Sequence, residues 1–240
     1  MISNINDHER KVYSQQGEDG IIETIFEKIG TFNKFFVEFG VGPPYKGGKK
    51  LKIEEHGLEC NTRYLQEKGW SGLLMNGKGF PEHNVKQEFI TAKNINSLFD
   101  KYDVPKEFDL LSIDIDFNDF YIWQAIEGYS PRVVVIEYNS AIDPTESKVV
   151  KYEEKRMWDY TNYFGASFLA LVKLGKEKGY TCVGCDKKGV NMFFVRNDLV
   201  SGNFQERSTV ELYVPPGYGK KKDGKKIGHR PNTKETMIDY

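Results

Sequence analysis

Six oxygen-bearing side chains stand at or just beyond the carboxyl ends of apolar runs in this sequence: Glu38, Asn76, Asp114, Asp116, Glu137 and Asn139. Asp114 and Asp116 are two residues apart, as are Glu137 and Asn139. On extended chain that spacing puts both members of a pair on one face, so each pair can aim at one point. Three or four hard oxygen ligands gathered there could hold Mg²⁺ or Mn²⁺, and the ion would orient and acidify an acceptor hydroxyl. Plainer uses exist: Asp114 can bind loop amides, Glu137 can pair with a lysine, and Asp119 suits the start of a helix, where the dipole favours a carboxylate. His56 and His83 both fall in loops near these ends and are the candidates for a general base beside Asp116.

The stretch FFVEFGVG, residues 35–42, is an apolar run ending in Glu38 and breaking into Gly40 and Gly42. A buried parallel strand looks like this when it runs into a loop that lets a ligand approach the backbone. The order acid-x-Gly-x-Gly lacks the third, helix-opening glycine of a dinucleotide fingerprint. Glu38 could accept hydrogen bonds while the glycines leave room for a nucleoside with a short zwitterionic chain. That combination suggests S-adenosylmethionine (SAM).

The elements that must position these groups read as alternating strands and helices. EDGIIETIFEKI, residues 18–29, spaces apolar side chains at helical intervals, and a strand follows at 35–39. Residues 40–57 read as a long glycine- and proline-rich loop, 58–68 as a helix and 72–75 as a second strand. A third strand is expected over 86–91, with Asn94 capping a helix that stops near Pro105. Residues 108–115 and 132–138 are nearly continuous apolar runs joined by a helix-length segment, 119–127, which is a βαβ unit with both sheet faces covered. Arg132, at the amino end of its strand, reads as structural. A helix over 164–178 precedes two strands, 180–185 and 191–196, with turn residues between them. The expected architecture is a three-layer α/β fold with a mostly parallel sheet and one antiparallel strand near its edge.

At 240 residues the chain suits one domain. Its net charge of −1 offers no global field toward nucleic acid or membrane. The sequence has no apolar run of spanning length and no charged start followed by an apolar stretch, so neither a membrane span nor a signal peptide is expected. Three cysteines fit a reducing cytoplasm better than a disulfide framework. Cys182 and Cys185 lack the second pair that a zinc site needs. From Pro215 the composition turns to Gly, Pro and Lys without apolar periodicity, so 215–240 is expected to be a solvated basic tail after a domain of residues 1–214.

Taken in order, YSQQGEDGII (13–22), FVEFGVG (36–42), GLECNT (57–62), GWSGLLMNG (69–77), EFDLLSIDIDFND (107–119), VVVIEYN (133–139) and the run 165–196 resemble the FkbM-type group of SAM-dependent methyltransferases. The likeness is to a bacterial subgroup associated with surface-glycan gene clusters. It implies a Rossmann-like class I methyltransferase fold, with a mostly parallel seven-stranded sheet closed by a C-terminal β-hairpin. It also implies O-methyl transfer to a sugar, a nucleotide-linked sugar or a related capsule or surface-polysaccharide precursor. By the same resemblance Glu38, Gly40 and Gly42 line the methionine and ribose region of SAM, and Asn76 takes the ribose position. Phe89 and Ile90 lie by the adenine, Asp114 and Asp116 face the reacting centre, and the segment containing Gln16 and Glu18 closes over cofactor or acceptor.

The sequence departs from the family pattern in three places. Asn76 stands where an acid is usual, and Phe117 replaces the Gly of D-x-D-G-x-D, which narrows the expected acceptor pocket. Residues 43–56 look like an insertion and are expected to form an acceptor-specific lid. The partner implied is a small-molecule or glycan-precursor acceptor, with a homo-oligomer left open. Two other readings compete: a metal-dependent glycosyltransferase using Asp114 and Asp116 at a diphosphate, and a degenerate SAM-fold protein binding a partner or anionic polymer through its lysine-rich tail.

Overall fold

The apolar runs become the strands of one sheet because each is covered on both faces. The computed structural model describes every residue except Gly47, Gly48 and Lys220, so the parts of the expected loop and tail that fall on these three lie outside the described residues. The strands are β1 (Phe35–Phe39), β2 (Ser71–Asn76), β3 (Val85–Gln87), β4 (Glu107–Ile113), β5 (Ser130–Glu137), β6 (Tyr180–Cys185) and β7 (Asn191–Arg196). They lie in the order β3-β2-β1-β4-β5-β7-β6. Neighbours from β3 to β5 pair in parallel, and β7 alone runs against both β5 and β6.

Alternation along each strand decides what covers it. Phe36, Leu74, Leu110, Val133 and Val135 share an apolar cluster with Ile21, Ile22, Ile25 and Phe26 of α1 (Glu18–Ile29). The other face sets Val37, Leu111, Val134 and Ile136 among side chains of α2 (Ile95–Lys101), α3 (Asp119–Ala125) and α4 (Phe168–Glu177). The result is a mostly parallel seven-stranded α/β sheet of Rossmann-like type. β6 and β7 have the expected bounds and form the antiparallel edge pair, and the chain then continues to Tyr240. Among the described residues, no helix is long and apolar enough to cross a membrane. All three cysteines are buried free thiols.

Several elements differ from expectation, each for a local reason. The helix expected over 58–68 shrinks to Arg63–Glu67, because the Glu59 N–H donates to the Gly42 carbonyl at 2.9 Å and the next amides bind a side chain of β1. The strand expected over 86–91 stops at Gln87, since the Asn94 side chain takes the Phe89 carbonyl at 2.9 Å and the Thr91 N–H at 2.7 Å. Within 43–56 a ribbon pairs Tyr45–Lys46 with Lys49–Lys50, and a helical turn follows at Ile53–His56.

The segment 215–240 is not a free tail. Ile238–Asp239 pairs with Lys148–Val149, the Tyr240 ring packs on Phe120 at 4.6 Å, and His229 lies 4.5 Å from the Trp158 ring. Arg156 bonds Glu235 at 2.7 Å. Spaced aromatic anchors, not periodicity, dock this stretch, while Lys221–Lys222 and Lys225–Lys226 form a ribbon at its tip.

At the amino edge of the sheet, fully buried Asp109 accepts the N–H groups of Phe32, Asn33 and Lys34 at 2.7–3.0 Å and the Arg132 guanidinium at 2.7 Å. Arg132 also donates to the carbonyls of Ile29 and Gly30, which end α1. One carboxylate therefore joins β1, β4, β5 and α1. Asp109→Ala should cost about 3–5 kcal/mol, because it strands a buried guanidinium and three amides. Urea unfolding checks this, and a loss below about 1 kcal/mol would show the clamp to be dispensable.

Candidate active site

The strand ends that matter are those of β1 to β4. Gly40, just past β1, has φ 85° and its N–H donates to the Met75 carbonyl at 3.2 Å. A Cβ there would lie 1.4 Å from the Asp114 carbonyl oxygen, so only glycine lets the loops after β1 and β4 pack together. β1 has β2 on one side and β4 on the other, the point where strand order reverses. In open α/β sheets ligands bind in the crevice beyond the carboxyl ends at such a switch point.

A cleft of about 160 Å³ opens at that point. It brings together Gly40, Asn76, Phe89, Ile90, Asp114 and Asp116, all expected to contribute to a site. Glu154, Arg156 and Met157 form one further wall, and Gly77, Glu88, Ile115 and Asn118 complete the lining. The volume is below the roughly 300–1,000 Å³ of ordinary small-molecule pockets, because this wall lies over the crevice. The exposed pair Lys93–Glu154, at 2.5 Å, and the Arg156–Glu235 bond hold the wall in place. A larger hollow of about 800 Å³ runs along Tyr180, Thr181 and Cys182, at the amino half of β6 and away from the strand carboxyl ends. Its position makes it a poor candidate for chemistry.

Other expected residues lie elsewhere. Glu38 is buried, and its two oxygens accept from the Asn61 N–H at 2.7 Å and from the Thr62 N–H and hydroxyl at 2.9 and 2.6 Å. It ties the 61–62 segment to β1 and does not line the cleft. Burial pushes its carboxyl up to about 7 despite these donors. Gly42 is engaged through its carbonyl with Glu59. Glu18 accepts the N–H groups of Gln16 and Gly17 at 2.8 Å and the Asn191 side chain at 3.0 Å, so the expected closing segment is folded on its own acid.

Asn139 is fully buried; its Nδ2 donates to the Asn162 and Phe164 carbonyls at 2.8 and 3.1 Å, and its Oδ1, the atom expected to hold a metal, accepts the Ala141 N–H at 3.3 Å. His56 is exposed beside Glu55, and His83 sits in the 3-10 turn Pro81–His83. Neither lines the cleft, so of the three candidate catalytic groups only Asp116 does.

Two residues that set the sequence apart from the pattern it resembles have local structural roles. The Asn76 amide donates to the Val41 carbonyl, where an ionised acid would meet another oxygen. Phe117 is 1% exposed and packs on Tyr163 at 5.8 Å, within a small cluster that includes Val150 and Phe164. It anchors the 149–164 stretch and does not narrow the cleft.

No family model matches this chain, and no curated protein matches it.

One residue assigned only to helix capping proves central. Asp119 opens α3, is 1% exposed, and accepts the Ile115 N–H at 2.7 Å through Oδ1. Carboxylate oxygens of Asp114, Asp119 and Glu137 all lie within 4.8 Å of one another. Burial is the main cause that pushes all three acids upward, Asp119 to about 7, and repulsion from neighbouring carboxylates, Asp116 among them, adds to it. The spacing from Asp114 to Asp119, from strand end to first helical turn, was the available signal. Glu88, bonded to Lys101 and Tyr102 at 2.5 and 2.6 Å, is a further cleft residue that strand patterning did not reveal.

Glu38 and Asp186 both hold loop amides and are both pushed up to about 7, mainly by burial. Their ordinary values are 4.5 and 3.8, so between those values and about 7 the folded state binds more protons than the unfolded one. Stability must therefore fall as pH rises through that window. In metal-free buffer the melting temperature should drop from about pH 5 to pH 8, with a shallower slope in Glu38→Gln. A melting temperature that climbs over that range would contradict the sign.

Proposed function

We propose that this protein is a SAM-dependent O-methyltransferase acting on a sugar, a nucleotide-linked sugar or a related surface-polysaccharide precursor. The observation that carries the reading is the convergence of Gly40, Asn76, Phe89, Ile90, Asp114 and Asp116 on one cleft at the switch point. A parallel sheet that ends in an antiparallel pair, the ending shared by methyltransferases of this class, adds support.

The groups around the cleft suit the parts of the cofactor. Phe89 is 48% exposed, and with Ile90 it offers an apolar surface to adenine. Asn76 and Glu88 offer polar atoms to ribose hydroxyls. The carboxylates of Asp114 and Asp116 suit the sulfonium and ammonium charges, which an apolar wall would not.

In the reaction an acceptor oxygen forms a bond to the methyl carbon as the carbon–sulfur bond breaks. The bonding pair leaves on sulfur, giving S-adenosylhomocysteine, and the hydroxyl proton goes to a base. Asp116, exposed at the cleft with φ 67°, is the acid in position to take it. The cofactor needs more space than the closed cleft offers, so the 153–157 wall must lift to admit it. Exposed ion pairs such as Lys93–Glu154 contribute about 0–1 kcal/mol, so this motion costs little there.

Glycosyl transfer through a metal-held diphosphate would use the same acids, and turnover of a sugar nucleotide without any response to SAM would favour it. A degenerate binding protein loses its motive, since Asn76 and Phe117 both have local structural roles.

Calorimetric titration with S-adenosylhomocysteine tests the reading, and micromolar binding is expected. Phe89→Ala should weaken that binding about 3–10-fold. With labelled SAM and a panel of sugar nucleotides, Asp116→Ala should lower turnover about 10²–10⁴-fold, a loss well beyond its effect on cofactor affinity. Absence of S-adenosylhomocysteine binding to the intact chain would overturn the proposal.

A further inference from the structure

We propose that Asp114, Asp119 and Glu137 form a divalent-cation site of the magnesium or manganese type at the carboxyl edge of the sheet. Three features carry the inference. One carboxylate oxygen from each residue lies within 4.8 Å of the other two. Three ligands about 2.1 Å from an octahedral ion stand about 3.0 Å apart when cis and about 4.2 Å when trans, so side-chain movements of roughly an ångström would close the set. The three positions also come from elements the fold holds firmly: the end of β4, the first turn of α3 and the last residue of β5.

The second feature is unmet bonding. Asp119 is 1% exposed, and its Oδ2 has no hydrogen-bond partner among the described residues. Glu137 Oε2 is buried and equally unpartnered. A buried carboxylate oxygen without a donor is costly, and three acids in one place compound the cost. Among the described residues, no lysine or arginine forms an ion pair with any of the three. Glu38, Asp109 and Asp186 have their oxygens met by main-chain amides. Asp19 also has an unpartnered buried oxygen, Oδ1, but it is a lone acid whose Oδ2 accepts three main-chain amides. Two unpartnered oxygens within one cluster of three acids make a cation the missing partner here.

The third feature is the donor chemistry. All three ligands are hard oxygens, with neither histidine nor thiol among them, which selects Mg²⁺ or Mn²⁺ over zinc. This set differs from the one suggested by residue spacing. Asn139 Oδ1 already accepts the Ala141 N–H at 3.3 Å, and Asp116 lies at the exposed cleft mouth. Asp114 belongs to both the cleft and the triad, so an ion held here would have open positions facing the acceptor. Binding of the ion stands independently of the methyl-transfer reading. Its use on the acceptor rests on that reading and favours acceptors that present two adjacent hydroxyls to the metal.

The test uses the full chain, stripped with chelator and titrated with Mn²⁺, with bound ion followed by electron paramagnetic resonance. About one Mn²⁺ per chain should bind at sub-millimolar concentration, and Mg²⁺ should displace it. Asp119→Asn and Glu137→Gln should each weaken binding at least about tenfold, while Asp116→Asn stays within about threefold. Saturating Mn²⁺ should raise the melting temperature of the parent and leave that of either triad variant nearly unchanged. A merely structural role for these carboxylates would give no ion-dependent difference between parent and variants. If Asp119→Asn does not fold, the half-buried Glu137→Gln carries the test. No Mn²⁺ binding with or without S-adenosylhomocysteine, or triad variants that bind like the parent, would overturn the site. Cofactor binding without Mn²⁺ binding would refute the site and spare the proposed function. Mn²⁺ binding without cofactor binding would support the site and refute that function.

Discussion

Buried carboxylates that accept main-chain N–H groups are the interaction on which the rest of this protein depends. Loops that pass beneath the surface carry amide donors that must be paired. An ionised carboxylate accepts several bonds at once and donates none. Asp19 gathers Val12, Tyr13 and Ser14, and Glu38 gathers Asn61 and Thr62. Asp109 gathers Phe32, Asn33 and Lys34, and Asp186 gathers Lys188, Val190 and Asn191. Each acid fixes a strand or helix end together with the loop beside it.

That rule sorts the acids of the chain. Those whose oxygens are met by amides shape the scaffold, whatever their position in a motif. The remainder, Asp114, Asp119 and Glu137, gather at the same sheet edge as the cleft, with oxygens of Asp119 and Glu137 left over. Structure and chemistry are thus divided among residues of one type by what each oxygen touches. Asp119 does both, holding the Ile115 amide with one oxygen and offering the other.

Much of the sheet was legible because parallel strands buried on both faces leave unbroken apolar runs, as in 108–115 and 132–138. The edge pair 180–185 and 191–196 was legible to the residue, since turn residues bracket it. What was missed depends on contacts far apart in sequence. The 58–68 stretch carries helical spacing, yet Glu38 and Gly42 claim its first amides. The 215–240 stretch lacks periodicity, yet Tyr218, His229 and Tyr240 each find an aromatic neighbour. At the site, strand-end logic found Asn76, Asp114 and Asp116, the glycine turn gave Gly40 and the family resemblance Phe89 and Ile90, while the motif acid Glu38 and the histidines His56 and His83 lie outside the cleft. No local pattern tells a free carboxylate from one already bound to amides.

The two walls of the cleft differ in how freely they can change over generations. Gly40 and Asp114 are locked against each other, and a side chain at position 40 would force two central loops apart. The 153–157 wall is held by surface ion pairs and by the Asn118 side chain, which donates to the Glu153 carbonyl at 3.0 Å. Substitution there can reshape the space above the acids without disturbing the sheet. A protein built this way can keep its acids constant while the ligands it admits drift, and a diversified library aimed at altered ligand preference belongs in that wall.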